Sequence, residues 1–398
     1  MNTRINKNHV LALLVLIGSL GPLAADAYLP ALSLLTTFFQ VSDKMLKFSV
    51  TAYFVGFAGA QIIFGPLSDA YGRKKVILLG IAIGAFGAFV CFSALTIWQF
   101  YLGRFILGVG MASGIPVARA VLKDLFSGKS LSEAASTINM VFALMPFITP
   151  LIGAYLASYY QWQTLFQLVL LASILVFILT LLYLPETNKH LNPSILKPKN
   201  LSTAFINVIK DRQVFIYGFS TLCAFACATA YMVSAPFIFL NTLGLSMIEF
   251  AWFAGLVTLS YIVGGIVNNQ LTKYLALDRI ILLALIGMLL VAISISLCLM
   301  IWSVNLTLMI VNVFLLMLAS RMVFPNALAG AFTSKQKEVG IISSVYGLYH
   351  TMGAILASAI IGLLSFDAAT SMAWVLMGFS TLGLISFSLR VKRQTSLD

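Results

Sequence analysis

Residues 65–75 read GPLSDAYGRKK and separate two long apolar runs of the chain. The glycines of this stretch, Gly65 and Gly72, permit a sharp turn of the backbone. Asp69 and Arg73 carry opposite charges and can pair across such a turn or interact with helix ends. The stretch therefore predicts a tight, charged turn that joins two apolar helices.

The sequence on either side of this turn is overwhelmingly apolar. Apolar residues make up 61% of the 398-residue chain and charged residues only 9%, whereas a soluble domain carries about 25% charged residues. A chain immersed in lipid needs charged residues only at the two surfaces that are exposed to water. The composition excludes an ordinary soluble enzyme and predicts a protein that lies mostly within a bilayer.

Twelve apolar runs are long enough to cross a bilayer, because a spanning helix needs about 20 apolar residues. The sequence therefore predicts an all-α, polytopic membrane protein with twelve transmembrane helices, and an even number of spans places both termini on one side. The predicted spans are 9–37, 45–66, 75–95, 98–121, 134–158, 163–184, 213–240, 248–270, 279–302, 305–330, 340–364 and 367–390.

The distribution of basic residues predicts which side the termini occupy. Of the 24 Lys and Arg residues, only Lys44 and Lys47 lie in or next to a predicted external loop, and Arg104, Arg119 and Arg321 lie deeper within spans. Since basic loops stay on the cytoplasmic side, both termini are predicted to be cytoplasmic, with the chain in the inner membrane. Contact with anionic lipid headgroups then explains the net charge of +12, and no nucleic-acid partner is expected.

One long polar stretch, from Glu186 to Arg212, divides the chain near its midpoint. Two halves of six spans are typical of transporters whose bundles rock around a site near the bilayer midplane. We therefore predict an N-terminal six-helix bundle over residues 1–188, a cytoplasmic linker over residues 189–212 and a C-terminal six-helix bundle over residues 213–398. Such a chain is expected to work as a monomer.

Three motifs resemble those of a known family. The turn at residues 65–75 resembles the GxLxDxxGRK/R signature of the major facilitator superfamily and follows the second of twelve spans, as in that family. Arg104 begins the stretch RFILGVG, which is similar to the RxxxGxG signature of the family's proton-coupled drug exporters. In span five, PFITPLIG at residues 146–153 is similar to their antiporter motif, although Leu107 and Thr149 replace the usual glutamine and glycine of the two motifs.

Further stretches resemble the Bcr/CflA-type drug-resistance transporters: residues 25–32, 53–61, 118–120 with Asp124, 234–236 and 324–327. The resemblance implies the twelve-helix facilitator fold, efflux of small organic molecules such as drugs, and exchange of these for protons. It also implies a gating role for residues of the turn and of span five, namely Gly65, Asp69, Gly72, Arg73, Lys74, Pro150 and Gly153.

Asp26 lies about 11 residues from the outer end of span one, and thus about 16 Å deep. An isolated carboxylate at that depth costs at least about 2.5 kcal/mol, so Asp26 must be protonated, paired or hydrated. Arg104 lies in an antiparallel span, and its side chain is long enough to reach Asp26. We predict that the two residues form the proton-coupling pair; the alternative is a permanent ion pair that only fixes two helices.

Two residues of the C-terminal half carry further hypotheses. Arg321 has no acidic residue at a similar depth in that half, so a substrate carboxylate is one candidate partner. The alternative is that Arg321 extends toward the cytoplasm or bonds carbonyl groups freed by Pro325. An unperturbed histidine side chain changes its charge near neutral pH, so His350 is interpreted either as a relay that faces the substrate or as a packing residue.

Polar side chains on otherwise apolar spans are candidates to line a substrate cavity, although such a side chain alone is more often part of helix packing. The scattered histidines and cysteines predict no metal site and no cofactor. No GxxxxGK[ST] loop that would let ATP drive transport occurs in the sequence. The substrate-binding candidates are Tyr28, Tyr53, Gln61, Asn139, Tyr231, Arg321 and His350.

These patterns together predict a secondary transporter that exports small organic molecules such as drugs in exchange for protons. The alternative is a carrier of an anionic metabolite, such as a polycarboxylate siderophore, working in either direction, because Arg104, Arg119 and Arg321 outnumber Asp26 within the spans. A membrane enzyme would need a histidine with an acid, or a nucleophile with a base, at one interface. A sensor would need a soluble signalling domain, and we expect neither of these functions.

Overall fold

A computed structural model describes residues 7–188, 191, 193, 208–302, 304–332 and 339–394. All regular secondary structure in these residues is helical. Twelve helices there are long and apolar enough to cross a membrane, which confirms the predicted all-α architecture. Most of the predicted linker, residues 189–212, lies outside the described residues.

The helices follow the predicted spans closely, with ends that differ by a few residues. Those of the first half of the chain are α1 (Lys7–Asp26), α2 (Leu32–Phe39), α3 (Asp43–Tyr71), α4 (Arg73–Phe92), α5 (Ile97–Met111), α6 (Gly114–Leu125), α7 (Gly128–Tyr159) and α8 (Gln163–Tyr183). Those of the second half are α9 (Arg212–Pro236), α10 (Met247–Leu271), α11 (Leu277–Trp302), α12 (Leu306–Phe332), α13 (Val339–Leu363) and α14 (Ala368–Gln394).

Three spans are not single α-helices. Span one consists of α1 and α2, joined by a 3-10 turn over Leu29–Ala31 in which Pro30 has no N–H to continue the helical ladder. Span four is divided between α5 and α6, and α9 runs directly into a π-helical segment, Phe237–Thr242. Breaks inside a membrane leave backbone carbonyl groups that need other hydrogen-bond donors, so each break is a place where side chains are recruited.

The described chain separates into two compact units. The first unit is Met1–Val41 with Ala52–Ser202, and the second is Ser42–Thr51 with Thr203–Asp398. The first turns of α3 thus group with the second unit, where the hydroxyl groups of Thr51 and Ser358 share a hydrogen bond of 2.8 Å. The domain limits at residues 188 and 213 remain a prediction.

Glycines let the helices of the first unit approach one another closely. A Cβ at Gly108 of α5 would overlap the backbone of Tyr53 in α3, and a Cβ at Gly87 of α4 would overlap the backbone of Leu107. Small residues allow membrane helices to pack backbone against backbone. Helix α5 is therefore enclosed, and Arg104, one turn before Gly108, lies in the interior of the unit with 0% exposure.

Candidate functional site

The break in the first span is stabilised by side chains from two other helices. The last four carbonyl groups of any helix lack intrahelical partners, and α1 ends at Asp26. Arg104 of α5 donates a hydrogen bond of 2.6 Å from Nη1 to the carbonyl oxygen of Ala24. Tyr53 of α3 donates one of 3.0 Å to the carbonyl oxygen of Gly21, which lies on α1 before those four groups. The end of α1 is thereby tied to α3 and α5.

Arg104 is held between two aromatic rings. Its guanidinium carbon lies 4.0 Å from the ring centroid of Tyr28 and 4.6 Å from that of Tyr53. Such cation–π contacts are worth about 2 kcal/mol when desolvated. Tyr28 and Tyr53 are each only 1% exposed, so in this structure they position Arg104, and their contact with a substrate stays a prediction.

Asp26 lies at the same break. It is the half-buried last residue of α1, two positions after the carbonyl group that Arg104 binds. The carboxyl group of Asp26 interacts electrostatically with the charge of Arg104. The structure thus brings both members of the predicted coupling pair to one place, where a change in their interaction would change the protonation of the carboxyl group.

Span five approaches this break from another side. A Cβ at Gly153 of α7 would overlap the carbonyl oxygen of Ala27, so α7 lies directly against the residue that follows Asp26. Pro150 is buried one turn earlier on α7, and the helix nevertheless runs continuously over Gly128–Tyr159. The contact between the antiporter-like stretch and the break in span one was not apparent from the sequence.

The turn between α3 and α4 contains the ion pair that the sequence predicts. Arg73 Nη1 lies 2.5 Å from Asp69 Oδ1 and donates a hydrogen bond of 2.6 Å to the hydroxyl group of Ser68. Arg73 Nε lies 3.3 Å from Asp124 Oδ2 on α6, an acidic partner that sequence reasoning missed. Its position at the end of span four that is predicted to lie on the same side as the turn was the available signal.

The other turn residues differ in how strongly the structure constrains them. Gly72 has a φ of +103°, which residues with a side chain rarely adopt. Lys74 Nζ donates a hydrogen bond of 2.8 Å to the carbonyl oxygen of Leu181 at the end of α8. A Cβ at Gly65 would meet no atom within 4 Å, so packing does not explain a glycine there. The gating role of the turn remains a prediction.

In the second unit, the predicted residues Arg321 and His350 both lie among aromatic rings. The half-buried Arg321 of α12 packs beside Gly264 of α10, and its guanidinium carbon lies 5.8 Å from the ring centroid of Tyr261. His350 of α13 stacks on Phe225 of α9 with 3.6 Å between ring centroids. This stacking accounts for a packing role of His350 without deciding its predicted substrate-binding role.

The remaining candidates are dispersed. Tyr231 is buried on α9 with its ring 6.5 Å from that of Phe239, Gln61 is half-buried on α3, and Arg119 is exposed on α6. The side chain of Asn139 lies outside the described residues. Among the residues that the structure describes, no group of three or more His, Cys, Asp or Glu side chains is placed to hold a metal ion.

Comparison with known families identifies the architecture. The model of the Major Facilitator Superfamily matches residues 14–297. This chain belongs to the Major Facilitator Superfamily. It is 25% identical over 373 residues to the bicyclomycin resistance protein homolog of Haemophilus influenzae, covering 94% of this chain and 93% of that protein. It is 24% identical over 366 residues to the multidrug resistance protein MdtL of Citrobacter koseri, covering 91% of this chain and 90% of that protein.

A solved transporter structure has the same fold. The crystal structure of a bacterial homologue of the human lysosomal transporter Spinster, in an inward-facing and occupied conformation, superimposes with a TM-score of 0.78 at 16% sequence identity over 98% of both chains. Family membership and the twelve candidate spans make this chain a multi-pass membrane transporter rather than an enzyme. As a member of a transporter family, it binds small-molecule substrates.

Proposed function

We propose that this facilitator exports small organic molecules such as drugs across the inner membrane in exchange for protons. The observation that carries the proposal is the arrangement at the break in span one, where Asp26 ends α1 and the fully buried Arg104 binds the carbonyl group of Ala24. The names of the relatives support the cargo, since one is a bicyclomycin resistance protein homolog and another a multidrug resistance protein.

In this proposal Asp26 carries the proton. Arg104 stays charged, and its interaction with Asp26 changes when Asp26 gains or loses the proton. Asp26 releases its proton to the cytoplasm as the substrate binds and takes up another from outside after the substrate has left. Substrate and proton then affect each other's binding, as linkage requires. Because Arg104 is anchored by Ala24, Tyr28 and Tyr53, a change at Asp26 is transmitted to the backbone of the first span.

The turn at residues 65–75 and the Pro150–Gly153 segment act as gates in this proposal. Arg73 links the ends of α3 and α6 through Asp69 and Asp124, and breaking these contacts would let the ends of those helices separate. Both termini face the cytoplasm, as the distribution of Lys and Arg favours. The chain acts as a monomer by alternating access.

The proposal is tested by proton movement in energised everted vesicles on addition of a lipophilic cation, tetraphenylphosphonium. The parent is expected to release protons from the vesicles, and Asp26→Asn to abolish the release. Asp43→Asn is the matched control, because Asp43 is an exposed aspartate in the first turn of α3. Proton-dependent transport that survives in Asp26→Asn would show that Asp26 is not the proton carrier.

A second candidate function, transport of an anionic metabolite such as a polycarboxylate siderophore, is favoured by Arg321. Among the described residues, Arg321 forms no ion pair, and its charged group lies over the Tyr261 ring instead. An uncompensated intramembrane cation is suited to a substrate carboxylate. A proton response to citrate but not to tetraphenylphosphonium, lost in Arg321→Ala and not in Arg119→Ala, would replace the first proposal with this one.

A further inference from the structure

Helix α4 begins without a capping group of its own. Its N-cap residue is Gly72, which has no side chain to accept a hydrogen bond from the first N–H groups of the helix. The carboxylate of Glu186 supplies the acceptors instead, at 2.9 Å from the backbone nitrogen of Arg73 and 3.2 Å from that of Lys74. The cap therefore comes from a residue 113 positions further along the chain, just after the end of α8.

The absence of a side chain at Gly72 leaves room for this carboxylate. A Cβ at Gly72 would overlap the Glu186 carboxylate, and the φ of +103° at Gly72 already disfavours any side chain. The negative charge of Glu186 also lies at the positive end of the α4 dipole. Gly72 of the turn and Glu186 after span six therefore form one contact, which needs both residues.

The two residues after Glu186 bind the same region. Thr187 donates a hydrogen bond of 2.9 Å to Asp124 Oδ2, the oxygen that Arg73 Nε also approaches. Asn188 donates one of 3.1 Å from Nδ2 to the carbonyl oxygen of Asp69. We call residues 186–188 the exit clamp, because they bind the start of α4, the end of α6 and the end of α3 where the chain leaves the helices of the first unit.

A helix cap alone does not require this arrangement, since a serine or aspartate at the N-cap position would satisfy the same N–H groups locally. The exit clamp instead shares its partners with Arg73. Asp124 accepts hydrogen bonds from both Arg73 and Thr187, and Asp69 binds Arg73 through its side chain and Asn188 through its backbone. A displacement of residues 186–188 therefore disturbs the ion pairs of the turn. A change in those ion pairs likewise displaces residues 186–188.

We propose that Glu186 is a positioning residue of the transport cycle, which through the exit clamp couples the end of α8 to the Asp69–Arg73–Asp124 ion pairs. The inference rests on the proposed function, in which those ion pairs gate transport. Loss of the Glu186 carboxylate is expected to slow turnover several-fold while the KM for substrate stays unchanged, because the clamp lies on the turn and not at the Asp26 break.

The experiment uses the full chain in lipid nanodiscs and proteoliposomes, with the variants Glu186→Ala, Glu186→Gln and Thr187→Val. Hydrogen–deuterium exchange at the N–H groups of Arg73 and Lys74 reports the cap directly. Counterflow of tetraphenylphosphonium, which needs no proton gradient, reports turnover and KM. Glu186→Ala is expected to speed exchange at these two positions about tenfold, which corresponds to one lost hydrogen bond of ordinary strength.

Glu186→Gln keeps an acceptor oxygen without the charge, so its exchange and turnover should lie between those of the parent and Glu186→Ala. Thr187→Val should slow turnover without exposing the N–H group of Arg73. The matched control is Glu249→Ala, since Glu249 caps α10 through a hydrogen bond of 2.8 Å from the backbone nitrogen of Ser246. This control should change neither the exchange of Arg73 nor turnover.

Faster exchange in Glu186→Ala with the turnover of the parent would overturn the inference and leave Glu186 as a helix cap only. Unchanged exchange would show that the carboxylate does not hold the turn, which also overturns it. A parent that performs counterflow of tetraphenylphosphonium but moves no protons would refute proton exchange alone, because the counterflow measurement still reports the effect of Glu186.

Discussion

Replacing Arg104 by methionine tests whether the buried cation holds the break in the first span. The substitution keeps an unbranched, apolar side chain in the same space while it removes the guanidinium group. It therefore deletes the hydrogen bond of 2.6 Å to Ala24 and both contacts with the Tyr28 and Tyr53 rings. It also removes the charge that interacts with Asp26.

The expected loss of stability follows from these contacts. A hydrogen bond from a charged donor contributes about 1.5–3 kcal/mol, and each desolvated cation–π contact about 2 kcal/mol. Methionine offsets part of this loss because no cation then has to be buried. We expect a net destabilisation of about 3 kcal/mol, roughly half of what the lost hydrogen bond and the two cation–π contacts contribute together. Arg104→Lys, which keeps the charge but not the planar group, should be intermediate.

Thermal unfolding in detergent, followed with a thiol-reactive dye, provides the measurement because Cys91, Cys223 and Cys227 are all buried in the folded chain. A loss of about 3 kcal/mol corresponds to a decrease in Tm of about 6–12 °C for a unit of this size. The control is Arg119→Met at an exposed position of α6, where a change below about 0.5 kcal/mol is expected. If Arg104→Met unfolds within about 2 °C of the parent, the buried cation does not stabilise the break.

Three further substitutions test packing with the same assay. Gly153→Ala should destabilise the chain by about 1–3 kcal/mol, because its Cβ overlaps the carbonyl oxygen of Ala27; an unchanged Tm would contradict the close approach of α7. Gly59→Ala, where no atom lies within 4 Å of the new Cβ, should instead stabilise α3 by up to about 1 kcal/mol. Asn326→Leu should cost about 1–3 kcal/mol, because it leaves the buried Asn268 without the 2.5 Å hydrogen bond between their amides. A double-mutant cycle with Asn268→Leu should then be clearly non-additive, and additive losses would argue against the pair.

The architecture was predictable because it depends on properties that each stretch of sequence carries by itself. A bilayer requires about 20 apolar residues per helix and satisfies no backbone hydrogen bonds, so the apolar runs predict helices without knowledge of their neighbours. The predicted span 279–302, for example, is helix α11 at Leu277–Trp302. The signature turn indicated the family for the same reason, since its spacing is local.

The candidate coupling pair was also accessible from the sequence. An ionisable residue deep in a span is costly, so Asp26 and Arg104 were conspicuous among apolar neighbours. The contacts that surround these two residues could not be predicted from the sequence. The end of α1 at Asp26, the hydrogen bond from Arg104 to Ala24 and the approach of Gly153 to Ala27 all depend on which helices pack together. Tyr28 and Tyr53, which are predicted to bind substrate, pack against the guanidinium group of Arg104. The sequence did not indicate this contact.

The sequence by itself determined the number of spans, the helical class, the family and the small set of charges that a membrane must accommodate. Tertiary structure alone decided the partners of those charges, such as Asp124 for Arg73 and Glu186 for the start of α4. The physical reason is the range of the interactions. Transfer of apolar residues into lipid acts on each segment separately, whereas a hydrogen bond or ion pair requires groups within about 3 Å, and residues 113 positions apart meet only when the helices have packed.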